Sequence, residues 1–180
     1  QGEWGNDAPY GYGIMIYKNN NMYLGTWING KRDGHGTIII NNNDEYFGEW
    51  KDGYIYGQGI MKFNNGDIYE GAWVVNEMHG QGIMKFKNGD IYEGRWEDNL
   101  PNGKGKMTYS DSSVYEGNWR EGYRYGYGKI TYKDKQIVEG EFDINFFDNN
   151  YYIYTDSINI LYSHKITSLP NCDTFNNQIT

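Results

Sequence analysis

Two short patterns of alternating residues run through this chain. In Tyr69-Glu70-Gly71-Ala72-Trp73, extended backbone would put Tyr69, Gly71 and Trp73 on one face and Glu70 and Ala72 on the other. In Gly80-Gln81-Gly82-Ile83-Met84-Lys85-Phe86, the same rule groups Gly80, Gly82, Met84 and Phe86. Asn65-Gly66 and Asn88-Gly89 follow segments of the second kind, and Asn29-Gly30, Asp52-Gly53 and Glu121-Gly122 follow segments of the first. Asn-Gly and Asp-Gly supply the positive φ angles that tight hairpin turns need. The pattern therefore predicts β-hairpins joined end to end in one antiparallel meander, with no helix.

The first pattern returns every 23 residues, as Tyr23-Leu24-Gly25-Thr26-Trp27, Tyr46-Phe47-Gly48-Glu49-Trp50, Tyr92-Glu93-Gly94-Arg95-Trp96 and Tyr115-Glu116-Gly117-Asn118-Trp119. Gln1-Gly2-Glu3-Trp4 opens the series one residue late, and Val138-Glu139-Gly140-Glu141-Phe142 is a weakened last copy. All six tryptophans are thus one position repeated. A glycine pair keeps the same phase, from Gly11/Gly13 and Gly34/Gly36 through Gly57/Gly59, Gly80/Gly82 and Gly103/Gly105 to Gly126/Gly128. Recurrence at such a period marks a repeat architecture in which each unit contacts its neighbours. Tyr-Glu-Gly-x-Trp followed by Gly-x-Gly and an aromatic resembles the MORN repeat. The resemblance runs over residues 1–142 without insertion or deletion and stops near Asp143.

A single sheet with an aromatic face and no covering helix calls for close ring packing. Glycine in strands is otherwise unfavourable, so its regular use marks close approach or bending. The expectation is a curved ribbon with a ring-lined groove, and the resemblance implies the same curved, grooved sheet. Candidate contacts in the groove are Tyr23, Tyr46, Trp50, Tyr69, Trp73, Tyr92, Trp96 and Tyr115. Tyr54-Ile55-Tyr56 and Tyr123-Arg124-Tyr125 read as bulky aromatic loops. Tyr54, Tyr56, Tyr123 and Tyr125 therefore join the candidates, as residues packed on a neighbouring loop or as the rim of a binding surface.

From Asp143 the pattern is lost, and residues 143–180 are expected to form a C-terminal cap or extension, since an uncovered last strand invites pairing. A segment that returns to the groove or pairs with a second copy is the alternative. The chain opens inside a repeat without an initiator methionine, and is expected to be part of a longer protein.

Charge narrows the partners. Lys+Arg 16 against Asp+Glu 24 gives a net charge of −8, which disfavours nucleic acid and, absent a basic cluster, an anionic membrane. One cysteine, Cys172, allows no intrachain disulfide and fits a reducing compartment. No apolar run reaches the length needed to span a bilayer, and no signal peptide is evident.

Catalytic chemistry finds no support. No Gly-x-Gly copy continues into a phosphate-binding loop opening a helix. His35, His79 and His164 are scattered and set no metal-ligand spacing. Glu70, Glu93, Glu116 and Glu139 recur on the polar face as a solvated acidic stripe. No cofactor or metal is expected.

The reading is a non-enzymatic, cytoplasmic protein-interaction scaffold whose groove accepts an extended or helical segment of a partner protein. The resemblance implies placement at a membrane–cytoskeleton junction, and homodimerisation through the C-terminal end as a second use of such arrays. It also implies two alternatives. One is a peripheral phospholipid- or phosphoinositide-binding module, weakened here because the Lys-Arg-His-Gly stretch survives only in part, at Lys31-Arg32-Asp33-Gly34. The other is an accessory array of a larger enzyme.

Overall fold

The computed structural model of the 180-residue chain describes residues 2–5, 8–40, 43–144 and 151–154. The chain divides into two compact units, Gln1–Lys87 and Asn88–Thr180. The first carries β1 (Gly2–Gly5), β2 (Ala8–Ile16), β3 (Met22–Ile28), β4 (Lys31–Ile39), β5 (Glu45–Lys51), β6 (Tyr54–Lys62), β7 (Ile68–Val74) and β8 (Glu77–Lys85). The second carries β9 (Ile91–Glu97), β10 (Leu100–Thr108), β11 (Val114–Arg120), β12 (Tyr123–Thr131), β13 (Ile137–Ile144) and β14 (Tyr151–Tyr154). Within each unit every strand pairs antiparallel with the next, so the all-β meander of consecutive hairpins is observed and no helix occurs among the described residues.

Two kinds of turn alternate. Val75-Asn76 joins β7 to β8 with φ of 49° and 67°, and Asn29-Gly30, Asp52-Gly53, Asp98-Asn99 and Glu121-Gly122 also have both central φ values positive. Such turns match the twist of the strands they join. Other reversals among the described residues are longer and use one positive φ, as at Gly66 (97°) or Ser112 (73°). In the loop between β6 and β7, Gly66 N–H donates to the Phe63 carbonyl and Phe63 N–H to that of Asp67.

These long loops are also tied to one another. Asn64 N–H donates to Asp44 Oδ1 at 2.7 Å and Lys87 N–H to Asp67 Oδ1 at 2.8 Å. In the second unit Ser110 N–H donates to Asp90 Oδ1 at 2.8 Å. In three consecutive repeats an aspartate, Asp44, Asp67 or Asp90, thus accepts from the next loop's backbone, a link the sequence reading did not contain.

The stretches expected as aromatic loops are strand. Tyr54-Ile55-Tyr56 opens β6 and Tyr123-Arg124-Tyr125 opens β12. The tight turn at Asp52-Gly53 reverses the chain early, so the second strand of each repeat begins three residues ahead of its glycine pair. The two strands of a repeat then fall out of step: Gly48 pairs with Gly59, but Trp50 pairs with Ile55. Gly57, in the extra segment, has φ of 70°. This is a bulge that only the first glycine of the pair accommodates without strain.

The expected boundary at residue 142 falls inside β13, whose Phe142 and Ile144 pair with Ile153 and Tyr151 of β14. Residues 145–150 and 155–180 of the expected cap, and Cys172 and His164 with them, lie outside the described residues.

Candidate functional site

The aromatic face is a packed ladder of rings. In the first unit Tyr23 meets Trp27 and Trp50 edge-on at centroid distances of 5.1 and 5.2 Å. Tyr46 meets Trp50 and Trp73 at 5.5 Å each, and Tyr69 meets Trp73 at 5.1 Å. In the second unit Tyr92 contacts Trp96 and Trp119 at 5.1 Å, and Tyr115 contacts Trp119 at 5.3 Å and Phe142 at 5.0 Å. Edge-to-face contact at these distances is the geometry the ring quadrupoles favour.

Glycine makes the ladder sit close to the backbone. A Cβ on Gly36 would lie 2.6 Å from Tyr23 Cε2, and one on Gly25 would lie 2.6 Å from Gly36 Cα. Each repeat tyrosine therefore lies over the glycine of its own motif and the second glycine of the following pair. Its hydroxyl donates to the carbonyl three residues on: Tyr23 to Thr26 at 3.1 Å, Tyr46 to Glu49 and Tyr69 to Ala72 at 3.0 Å, Tyr92 to Arg95 at 3.0 Å, and Tyr115 to Asn118 at 2.9 Å. Burial raises the Tyr23, Tyr46, Tyr69 and Tyr115 phenols well above their ordinary value.

This packing changes what the rings can do. Tyr23, Tyr46, Tyr69, Tyr92 and Tyr115 are 0% exposed, and Trp50, Trp73 and Trp96 are buried as well. Eight of the twelve residues expected to line a groove therefore present no surface for a partner to touch. They are the core, because a one-layer sheet has no other layer against which to bury its rings.

The remaining four lie elsewhere. Ile55 pairs with Trp50 and is buried beside it, so its neighbours Tyr54 and Tyr56 project from the opposite face. Both are exposed, and the Lys51 ammonium sits 5.4 Å from the Tyr56 ring centroid. Tyr125 is likewise exposed, with the Arg120 guanidinium 5.2 Å from its centroid, while Tyr123 is half-buried. Rings and strand-opening tyrosines thus occupy two faces and do not rim one groove.

The position between the tyrosine pairs closes the ladder. Ile55, Met78 and Pro101 fill it with apolar bulk, whereas Arg32 and Arg124 fill it with guanidinium groups. The Arg32 guanidinium lies 4.2 Å from the Trp50 ring centroid and donates to the Gly53 carbonyl at 2.6 Å. Burial lowers its pKa from the ordinary arginine value. Arg124 lies 4.8 Å from the Tyr115 centroid and donates to the Tyr109 hydroxyl. Cation–π contact explains why a buried arginine is tolerated there. The sequence showed Arg32 and Arg124 only as loop residues.

A cavity of about 500 Å³ adjoins β1 and β2, lined by Gly2, Gly13, Met15 and Trp27 among others. Gly2 and Gly13 are the pair equivalent to Gly25 and Gly36, so it marks a ring position of the ladder rather than a polar reaction chamber. Among the described residues no group of three or more His, Cys, Asp or Glu side chains is placed to hold a metal ion. Glu70, Glu93, Glu116 and Glu139 are all exposed. No helix among the described residues is long and apolar enough to cross a membrane.

Solved structures show a partial likeness to this chain. The TCP domain of Drosophila melanogaster SAS-4 (dCPAP), solved with a proline-rich motif of Ana2 (dSTIL), is 16% identical, with a TM-score of 0.46 over 70% of this chain and 68% of that one. The wild-type TCP10 domain of Danio rerio CPAP with a STIL peptide is 11% identical, with a TM-score of 0.46 over 71% of this chain and 57% of that one. The same domain without the peptide is 12% identical, with a TM-score of 0.46 over 79% and 73%. No curated protein matches the chain. The MORN repeat model matches residues 1–22, 23–45, 46–68, 69–91, 92–114 and 115–137, the last five units beginning on the tyrosines of the ladder, and the chain belongs to the MORN repeat family.

Proposed function

We propose that this chain is a non-enzymatic scaffold module that holds a segment of a partner protein against its sheet, in the cytoplasm and beside membrane or cytoskeleton. Family membership supports an interaction role, and the site geometry supports its form. One observation carries the reading: the repeat's aromatic ladder is used up inside the fold, yet further tyrosines stand exposed on the other face at Tyr54, Tyr56 and Tyr125. Tyrosine offers wide contact area and a hydrogen-bonding tip at small entropic cost, which makes it an anchor residue at interfaces. The buried rings fix the strands that aim these anchors, with Tyr123 supporting Tyr125 from the same strand.

The test is affinity capture with the wild-type chain and with Tyr54→Ser/Tyr56→Ser and Tyr123→Ser/Tyr125→Ser variants, each checked for unchanged thermal unfolding. Loss of the captured protein in either variant supports the scaffold reading. A partner retained by both at wild-type level refutes these anchors. Salt-sensitive co-sedimentation with anionic vesicles, in the absence of any protein partner, would establish the lipid alternative instead. Homodimerisation through the C-terminal end predicts a doubled mass in sedimentation that truncation after residue 142 abolishes.

A further inference from the structure

The face opposite the ring ladder differs between repeats in a way the fold does not require. In the second unit the central outward row reads Glu93, Lys106, Glu116, Lys129, Glu139, with opposite charges facing across each pair of strands. At the equivalent positions of the first unit the register gives Ile14, Leu24, Thr37, Phe47 and Ile60. A second row beside it sets Ile16 against Met22 and Met22 against Ile39. Ile14 is 41% exposed, Phe47 55% and Ile16 69%, while Met22, Leu24, Thr37, Ile39 and Ile60 are half-buried on the same face. The second unit shows that the same strands form with charges in the central row, so packing does not dictate its apolar residues in the first. The patch ends where Lys62 and Glu45 pair at 3.3 Å and Glu70 follows Ile60. Contiguous exposed apolar surface with a polar border is the mark of an interaction site.

Its size and backbone select the occupant. Five strands at about 4.8 Å spacing, with two to three outward positions each, cover roughly 300–500 Å². A stable dimer buries about 800 Å² per partner, so a second copy is too large a match. Strands β2 to β6 are each hydrogen-bonded on both sides, so no strand edge is open within the patch. An extended segment laid on this face would leave its own N–H and C=O groups without partners, whereas a helix satisfies them internally. We propose that this face of the first unit receives the apolar side of an amphipathic α-helix from a partner protein. A helix of about 12 residues, roughly 18 Å long, crosses the five strands with apolar side chains at i, i+3, i+4 and i+7. The proposal rests on the scaffold reading and names the partner's form for this unit.

The probe is a synthetic 14-residue peptide with leucine at positions 1, 4, 5, 8, 11 and 12 and glutamate and lysine elsewhere. A control of equal composition has its leucines scattered around the helix. The full chain is titrated with each, and methyl NMR follows Ile14, Leu24 and Ile60. The amphipathic peptide is expected to bind at least tenfold more tightly than the control, with shifts confined to this face. The variant Leu24→Glu/Thr37→Lys/Phe47→Glu/Ile60→Lys copies the charge row of the second unit and is expected to lose at least tenfold in affinity at unchanged unfolding temperature. Phe47→Glu alone serves if the fourfold variant fails to fold. Equal binding of both peptides, or binding that survives the charge row, overturns the proposal. Wild-type dimerisation abolished by the charge row would assign the face to a second copy, and binding to zwitterionic vesicles abolished by it would assign the face to lipid; each also overturns it. A partner captured through the tyrosines that is retained by the charge-row variant refutes the helix site while leaving the scaffold reading intact.

Discussion

The glycines of this chain do two different jobs, and substitution would separate them. Gly36 lies under the Tyr23 ring, and a methyl group there has nowhere to go, because the ring is held by its hydroxyl bond to Thr26 and by two tryptophan edges. Gly53 has φ of 94° and nothing within 4 Å of a built Cβ. Gly36→Ala is therefore an overpacking change, expected to cost about 3 kcal/mol or more. Gly53→Ala meets only the backbone penalty of the left-handed region, about 1–2 kcal/mol. Chemical denaturation of the two variants checks this, and an ordering reversed from Gly36 to Gly53 would refute the ring-over-glycine account. The sequence made the glycine spacing plain and suggested that a ring lies flat on it. It did not reveal that the first glycine of each pair serves φ and the second serves space, because both look alike as letters.

At the scale of strands and loops, hairpin existence was legible because alternation and turn residues agreed. Strand limits were less so. Val75-Asn76 makes a tight turn with a β-branched residue at positive φ, which no turn preference signals. The tyrosines that open β6 and β12 do follow signalled turns, Asp52-Gly53 and Glu121-Gly122, but the start of each strand ahead of its glycine pair is set by pairing with the preceding strand. The bulge at Gly57 follows from register between two strands, which one strand's letters do not encode. The aspartate links between loops were hidden for the same reason. Asp67 accepts from Lys87 N–H and also carries the local Asn65 contacts, with Asn65 Oδ1 accepting from Asp67 N–H at 2.8 Å. Asp67→Ala removes a charge-assisted acceptor from the next loop's backbone, which is expected to cost about 1.5–3 kcal/mol. Faster amide exchange of Lys87 in that variant, with β3 and β4 unchanged, is the specific readout. Asp67→Asn keeps an acceptor and should recover part of the loss.

At the scale of the whole molecule, a sheet without a covering layer has placed its stability in phenol rings, and pH can address them all at once. In the ladder, Tyr23, Tyr46 and Tyr69 of the first unit and Tyr115 of the second have pKa values raised by burial above the ordinary value of 10.0. Below that value the phenols are protonated in folded and unfolded chains alike, and their contribution is complete. As pH rises past it, the unfolded chain releases protons that the folded chain retains, so ionisation draws the equilibrium toward unfolding. Each such group weakens stability by about 1.4 kcal/mol per pH unit until the folded phenol itself ionises. Four together give a fall of up to about 5.5 kcal/mol per unit, steep against a typical domain stability of about 5–15 kcal/mol. Absorbance at 295 nm should then show the phenols of Tyr23, Tyr46, Tyr69 and Tyr115 ionising together with loss of far-ultraviolet strand signal. Tyr46→Phe removes one ionising group and one hydroxyl donor while keeping the ring. It is expected to be less stable at neutral pH, by about 1 kcal/mol for the lost bond to the Glu49 carbonyl, yet to decline less steeply above pH 10. A ladder that ionises near pH 10 without unfolding would mean that the rings are wet, and the reason for moving partner contacts from the ring face to the opposite one would go with it.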